Sequence, residues 1–210
     1  MALNLQKEEM FWKKSNNKQS QESRDLLLSN GATQSYFISE LDPALLDLFE
    51  KRKKTVGTDE RFSNWCKLTE KLSKDSVHTL AEEKALLEYY ISLWGSLQNE
   101  ELHVKVDFNI ADPSMKLHAL ICFPLVQNAL TNGYNTMPAH PIKIRLSSSS
   151  NQIKLEVSNH VNHYLKDQSE NDYINNLQYR LKFHYPDKHS LFLNSNSMLF
   201  KGVMILDVRH

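Results

Sequence analysis

The sequence predicts an α+β protein in which an N-terminal helical hairpin precedes a two-layer sandwich of helices on one sheet. Three observations lead there. Residues 102–110, 141–147 and 152–158 alternate apolar and polar side chains with the period of half-buried strands. Four other stretches, 36–54, 59–74, 79–98 and 172–183, repeat apolar residues at three- and four-residue spacing, the period of amphipathic helices. Neighbouring strands are joined by short turns, as in hairpins rather than in repeating strand–helix units.

Composition bounds the function. A chain of 210 residues suits one or two domains and can bury a sizeable core. Lys plus Arg and Asp plus Glu each total 25, so no net field favours nucleic acid or an anionic membrane. Cys66 and Cys122 lie far apart in apolar segments, which fits reduced core thiols in a cytoplasmic protein and neither a disulfide framework nor a metal site. No stretch approaches the roughly 20 apolar residues of a membrane span, and 1–19 has no apolar signal-peptide core. Glycine is scarce: there are five (Gly31, Gly57, Gly95, Gly133 and Gly202), where average usage of about 7% would supply roughly 15. Loops that wrap phosphates need glycine for positive φ and close backbone approach, so few segments here can form one.

Taken in order, residues 1–34 are polar and read as a loosely ordered leader with helix around 18–28; Phe11 and Trp12 are its only aromatics and its candidate docking residues. Residues 35–78 read as the helical hairpin. Its first helix carries Phe37, Leu41, Leu45, Leu48 and Phe49, interrupted by Pro43; its second carries Phe62, Trp65, Cys66, Leu68 and Leu72, with a turn at Lys51 to Lys54 and Gly57. A face this wide suits a homodimeric four-helix bundle. Residues 79–210 form the sandwich. Thr79 with Glu82 makes a capping box for a helix whose apolar face is Leu86, Leu87, Tyr90, Ile91 and Trp94. A strand follows at 102–110, then a central helix, a β-hairpin turning at 148–151, a helix over 172–183 using Ile174, Leu177, Leu181 and Phe183, and strands at 190–194 and 201–208.

The central stretch, 120–134, holds the anomaly. Ile121, Leu125, Asn128 and Ala129 fall on one helical stripe, which places a polar amide in an apolar row. Such an amide either satisfies a hydrogen bond in the core or holds a ligand such as a hydrated magnesium ion. The residues alone leave both open.

Pro124-Leu125-Val126-Gln127-Asn128-Ala129, with Gly133 beyond it, resembles the N box of the GHKL (Bergerat-fold) ATPase domain in LytS-type sensor histidine kinases, which runs Pro-Leu-Val-Glu-Asn-Ala. The resemblance implies that Asn128 would hold magnesium beside the phosphates of ATP, and that Gln127 stands in place of a glutamate. Further matches occur in family order over about 40–208. Glu40 to Leu46 sits where these kinases carry Gln-Ile-Asn-Pro-His-Phe-Leu; Pro43 and Leu46 agree, but Ala44 replaces the phosphoacceptor histidine, and a methyl group is no nucleophile. The 79–98 helix is similar to the family's bridging helix. Asn159 occupies the aspartate position of Asp-x-Gly-x-Gly, where its amide oxygen can still accept weakly from the adenine amine, while Val161 and His163 replace both glycines. Asn176, Arg180, Leu181 and Tyr185 match Gly-x-Gly-Leu-x-Asn-Val-x-x-Arg-Leu-x-x-x-Tyr, and Asn171 and Tyr173 replace its glycines. His160 and His163 have no third ligand at metal spacing and read as a solvated loop.

The resemblance therefore implies a nucleotide site at Asn128, Asn132, Asn159, Tyr173 and Asn176, with magnesium on Asn128, and no working catalytic residue at Ala44 or Gln127. A carboxamide at Gln127 has no useful basicity; as a bare sequence position it reads as an ordinary helix-surface amide. The expectation is a degenerate histidine-kinase-like protein of two-component signalling, a cytoplasmic pseudokinase acting as a regulatory or scaffolding dimer with weak or no ATP binding. It would pair with a second copy, a true histidine kinase or a response regulator. The alternative is an active ATP-dependent histidine kinase or ATPase with divergent motifs.

Overall fold

The computed structural model describes residues 42–52, 58–73, 75–161 and 172–209. The leader, Phe11, Trp12, the Gly57 turn, His163 and Asn171 lie outside the described residues. Among the described residues, five helices, α1 (Pro43–Arg52), α2 (Thr58–Thr69), α3 (Leu80–Leu97), α4 (Phe123–Asn132) and α5 (Asp172–His184), accompany seven strands. These are β1 (Val77–Thr79), β2 (Val104–Ile110), β3 (Lys116–His118), β4 (Ile142–Ser149), β5 (Gln152–His160), β6 (His189–Ser195) and β7 (Leu199–Asp207). The main sheet runs β2-β4-β5-β7-β6, with β2 parallel to β4 and the remaining neighbours antiparallel. The chain is thus α+β, as its periodicities predict.

Several boundaries move for local reasons. Pro43 does not interrupt a helix; it opens α1, where proline's fixed φ and missing N–H are tolerated, and Asp42 caps it by accepting from Leu45 N at 3.0 Å. The β4–β5 turn is tighter than the four residues expected, because Ser150 adopts φ +48° and Ser149 still pairs with Gln152. α2 ends at Thr69, short of residue 74. The small β1–β3 ladder, Val77 to Thr79 against Lys116 to His118, is too short for its alternation to register in sequence. At α3 the predicted capping box forms as read: Glu82 N donates to Thr79 Oγ1 at 3.2 Å and Thr79 N to Glu82 Oε2 at 2.7 Å.

The inward sheet face, including Ile144, Leu155, Val157 and Met204, is wholly or nearly wholly buried and continuous with the apolar faces of the helices. α4 lies against it. Gly202 makes that approach possible, since a Cβ there would stand 2.7 Å from Leu125 Cδ2. Both cysteines are buried free thiols, and burial pushes Cys66 up to about 11, so neither is poised to react.

Candidate functional site

The loop before α4 sets where that helix begins. Leu120 has φ +62°, a conformation that disfavours a branched side chain, and the peptide groups around it are tied down from two sides. From α3, the buried Glu83 carboxylate accepts from Leu120 N and Cys122 N, each at 2.8 Å, and meets His78 Nε2 at 2.6 Å. From α5, Arg180 donates to Leu120 O at 2.7 Å and Ala119 O at 2.5 Å. Arg180 was legible as a motif match. Glu83 was not singled out, although it sits on the stripe of Leu80, Leu87, Tyr90 and Trp94, where an acid is out of place.

α4 is buried along eight consecutive residues from Phe123 to Leu130, Gln127 and Asn128 included. The surface reading of Gln127 is therefore wrong: its amide is enclosed between α4 and the start of α1, where it donates to the Asp42 carboxyl. Asn128 Oδ1 accepts from Asn132 Nδ2 at 2.9 Å. At the end of α4, Gly133 lies so close to Asn159 that a Cβ would fall 2.5 Å from its Nδ2, and the same Nδ2 donates to His160 O at 3.0 Å. Asn128 and Asn132 of α4 and Asn159 of β5 thus lie near the C-terminal end of α4. Tyr173 extends from α5 to the same region; its hydroxyl lies 3.5 Å from Thr131 Oγ1 and 3.4 Å from Asp42 Oδ1. Asn176, one turn further along α5, is half-buried, and its buried Oδ1 has no hydrogen-bond partner among the described residues. The His160 and His140 rings lie with centroids 4.2 Å apart and planes tilted by 43°. No group of three or more His, Cys, Asp or Glu among the described residues could hold a metal ion.

The centre of the cluster is a residue that the sequence reading passed over. Asp42 is 0% exposed and takes hydrogen bonds from the Tyr90 hydroxyl of α3, Leu45 N, the Gln127 amide and, at the long limit, the Tyr173 hydroxyl. Its donors are neutral. Burial dominates and pushes its carboxyl up to about 6, with these hydrogen bonds pulling the other way. Burial and the adjacent Asp42 charge together push the Tyr90 and Tyr173 phenols up. Signals for both residues were present in the sequence: Asp42 precedes the helix-opening Pro43, and Tyr90 carries a hydroxyl on an apolar stripe. Neither signal says that the two meet.

Ala44 faces a hollow of about 530 Å³ lined also by Leu48, Arg52, Trp94, Leu130 and Thr131. The position that the motif assigns to a phosphoacceptor is therefore beside the helix that the motif assigns to magnesium, and it bears a methyl group. Chemically, the cluster can hold hydrogen bonds and one titrating carboxyl. Among its amides, Gln127 is held by Asp42, and Asn128 is held by Asn132.

No protein-family model matches the chain, and no curated protein does. Among solved structures, the histidine kinase domain of the Erythrobacter litoralis EL346 blue-light activated histidine kinase is similar over 91% of this chain and 94% of its own, with 12% identity and a TM-score of 0.46. Acinetobacter baumannii histidine kinase AdeS covers 90% of this chain and 93% of its own, with 10% identity and a TM-score of 0.43. A nucleotide-free catalytic domain of histidine kinase ThkA covers 63% and 95%, with 13% identity and a TM-score of 0.39. No helix among the described residues is long and apolar enough to cross a membrane.

Proposed function

We propose that this chain is a histidine-kinase-like pseudokinase of the LytS type: a cytoplasmic regulatory or scaffolding protein of two-component signalling that has kept the GHKL framework and given up phosphoryl transfer. One observation carries the reading. The amide at the N-box glutamate position, the tyrosine at a lid glycine position and the acid two residues before the phosphoacceptor position are satisfied by one another, through the Asp42 carboxyl. A ligand that engaged these three groups would first have to break the hydrogen bonds that join them at Asp42. Ala44 has no atom to accept a phosphoryl group, and the Gln127 amide takes no proton at neutral pH. Asn128, Asn132, Asn159, Tyr173 and Asn176 remain as the wall of the former nucleotide site, with Asn128 as the residue that would hold magnesium. The protein acts as a dimer through its N-terminal helices, residues 35–78, with 79–210 as the ATPase-like domain.

The test is incubation of the full chain with radiolabelled ATP and magnesium, alongside a calorimetric titration. No label should appear on the protein. At 1 mM ATP the stabilisation should stay below roughly 0.4 kcal/mol, the value for a Kd equal to the ligand concentration. Any smaller stabilisation should vanish in Asn128→Ala. Stoichiometric labelling overturns the reading in favour of an active kinase, and light scattering showing only monomer overturns the dimer.

A further inference from the structure

The sheet face turned away from α4 is exposed, and its register lines the side chains up in rungs across the strands. Lys105, Lys143, Ser158, Lys201 and Asn194 form one rung from β2 to β6. Asp107, Arg145, Glu156, Val203 and Phe192 form the next. In that second rung the carboxylates are already shared: Arg145 Nε lies 2.9 Å from Asp107, and Glu156 is approached by Lys154 at 3.2 Å, Lys201 at 3.6 Å and Arg145 at 4.0 Å. Lys105 and Lys143 stand directly opposite one another in register, and neither has an acidic partner among the described residues. Like charges opposed on a sheet destabilise it, and a rung built only for stability would place a carboxylate at one of the two positions. The rung borders a hollow of about 570 Å³ whose lining includes Leu199.

We infer that this lysine rung is a docking site for an extended acidic segment of a partner protein. The spacing fits. Neighbouring strands lie ~4.8 Å apart, so three strand intervals carry the rung about 14 Å from Lys105 to Lys201. An extended peptide presents alternate side chains to one face every ~6.7 Å, so acids at the first, third and fifth positions of a segment span about 13 Å. Ser158 lies between Lys143 and Lys201 and can donate to a carboxylate or a peptide carbonyl. The face lies across the sheet from the α4 cluster, so this docking does not depend on whether nucleotide binds there.

The experiment measures binding of the full chain to a short fluorescent peptide of alternating Glu and Ser, by anisotropy at low and high salt. Saturable binding is expected, weakened roughly two- to fivefold by Lys105→Gln or Lys143→Gln singly and more by both, with the difference shrinking in high salt. Lys182→Gln, exposed on α5, should leave binding unchanged. The double glutamine variant should melt no lower than the parent, since an opposed pair of like charges is gone. If it does melt lower, Lys105→Arg with Lys143→Arg decides: retained binding supports the site and lost binding overturns it. Absence of saturable binding, an equal loss in Lys182→Gln, or tighter binding of single-stranded DNA through the same lysines each overturns it.

Discussion

A carboxyl buried away from water is easier to protonate than an exposed one, and at Asp42 the neutral hydrogen-bond donors offset that effect only in part. Its folded pKa of about 6 exceeds the usual 3.8, so the folded state holds the proton more tightly than the unfolded one between those values. Stability from this residue is complete below about pH 4 and is lost as pH rises through about 6; the full swing is of order 3 kcal/mol. Asp42→Asn keeps a helix-capping oxygen and cannot ionise. Urea denaturation at pH 5 and pH 8 should therefore show the variant gaining on the parent as pH rises, and a difference that is independent of pH would contradict the buried carboxyl. Gly202→Ala places a Cβ against Leu125 in a packed layer and should lower stability by about 1–3 kcal/mol, measurable by the same denaturation. That Ala44 offers no nucleophile and Gln127 no base was legible because a residue's reactivity belongs to its own atoms. The burial of Gln127 was not, because burial belongs to what is packed over it.

α4 illustrates what an element's sequence conveys and what its neighbours add. The apolar stripe and the terminal glycine place a helix within 120–134, and the observed one, Phe123–Asn132, starts three residues later and ends two earlier. Its entry, by contrast, rests on Leu120 in the left-handed region, clamped by Glu83 of α3 and Arg180 of α5. Left-handed leucine is unfavourable by about 1 kcal/mol or more and persists only where its surroundings hold it. Glu83→Gln removes the negative charge at the start of α4 and turns an amide N–H toward donors, so it should destabilise the protein by about 3 kcal/mol or more. Hydrogen exchange at the Leu120 and Cys122 amides should accelerate ahead of the amides in β4 and β5. Uniform exchange would show that the clamp is not local. The strands were read more completely than the helix ends, since alternation over seven to nine residues, as in β2, β4 and β5, is a redundant signal, whereas the three-residue β1 and β3 have too few positions to alternate.

Across the whole molecule two titrations oppose one another. His118, half-buried with its ring centroid 3.8 Å from that of His184, is driven down to about 4, by burial first and then by the neighbouring His184 and Arg180 charges. A histidine depressed in the fold contributes stability above its unfolded pKa of about 6.5 that is lost as pH falls toward 4, while Asp42 gains over nearly the same window. The parent should therefore show a shallow pH profile of melting temperature between about 4 and 6.5. His118→Gln should tilt it toward acid stability and Asp42→Asn toward neutral stability, and a tilt of the same sign in both variants would exclude the opposition. From its sequence alone the chain determined its helix and strand periods, its α+β class, and the absence of a nucleophile at Ala44 and of a base at Gln127, because periodicity and reactivity are local properties. Only the tertiary structure decided that Asp42 meets Tyr90 and Tyr173, 48 and 131 residues away, and that Lys105 stands beside Lys143. Desolvation and strand register arise from segments distant in the chain, and no local pattern of residues encodes them.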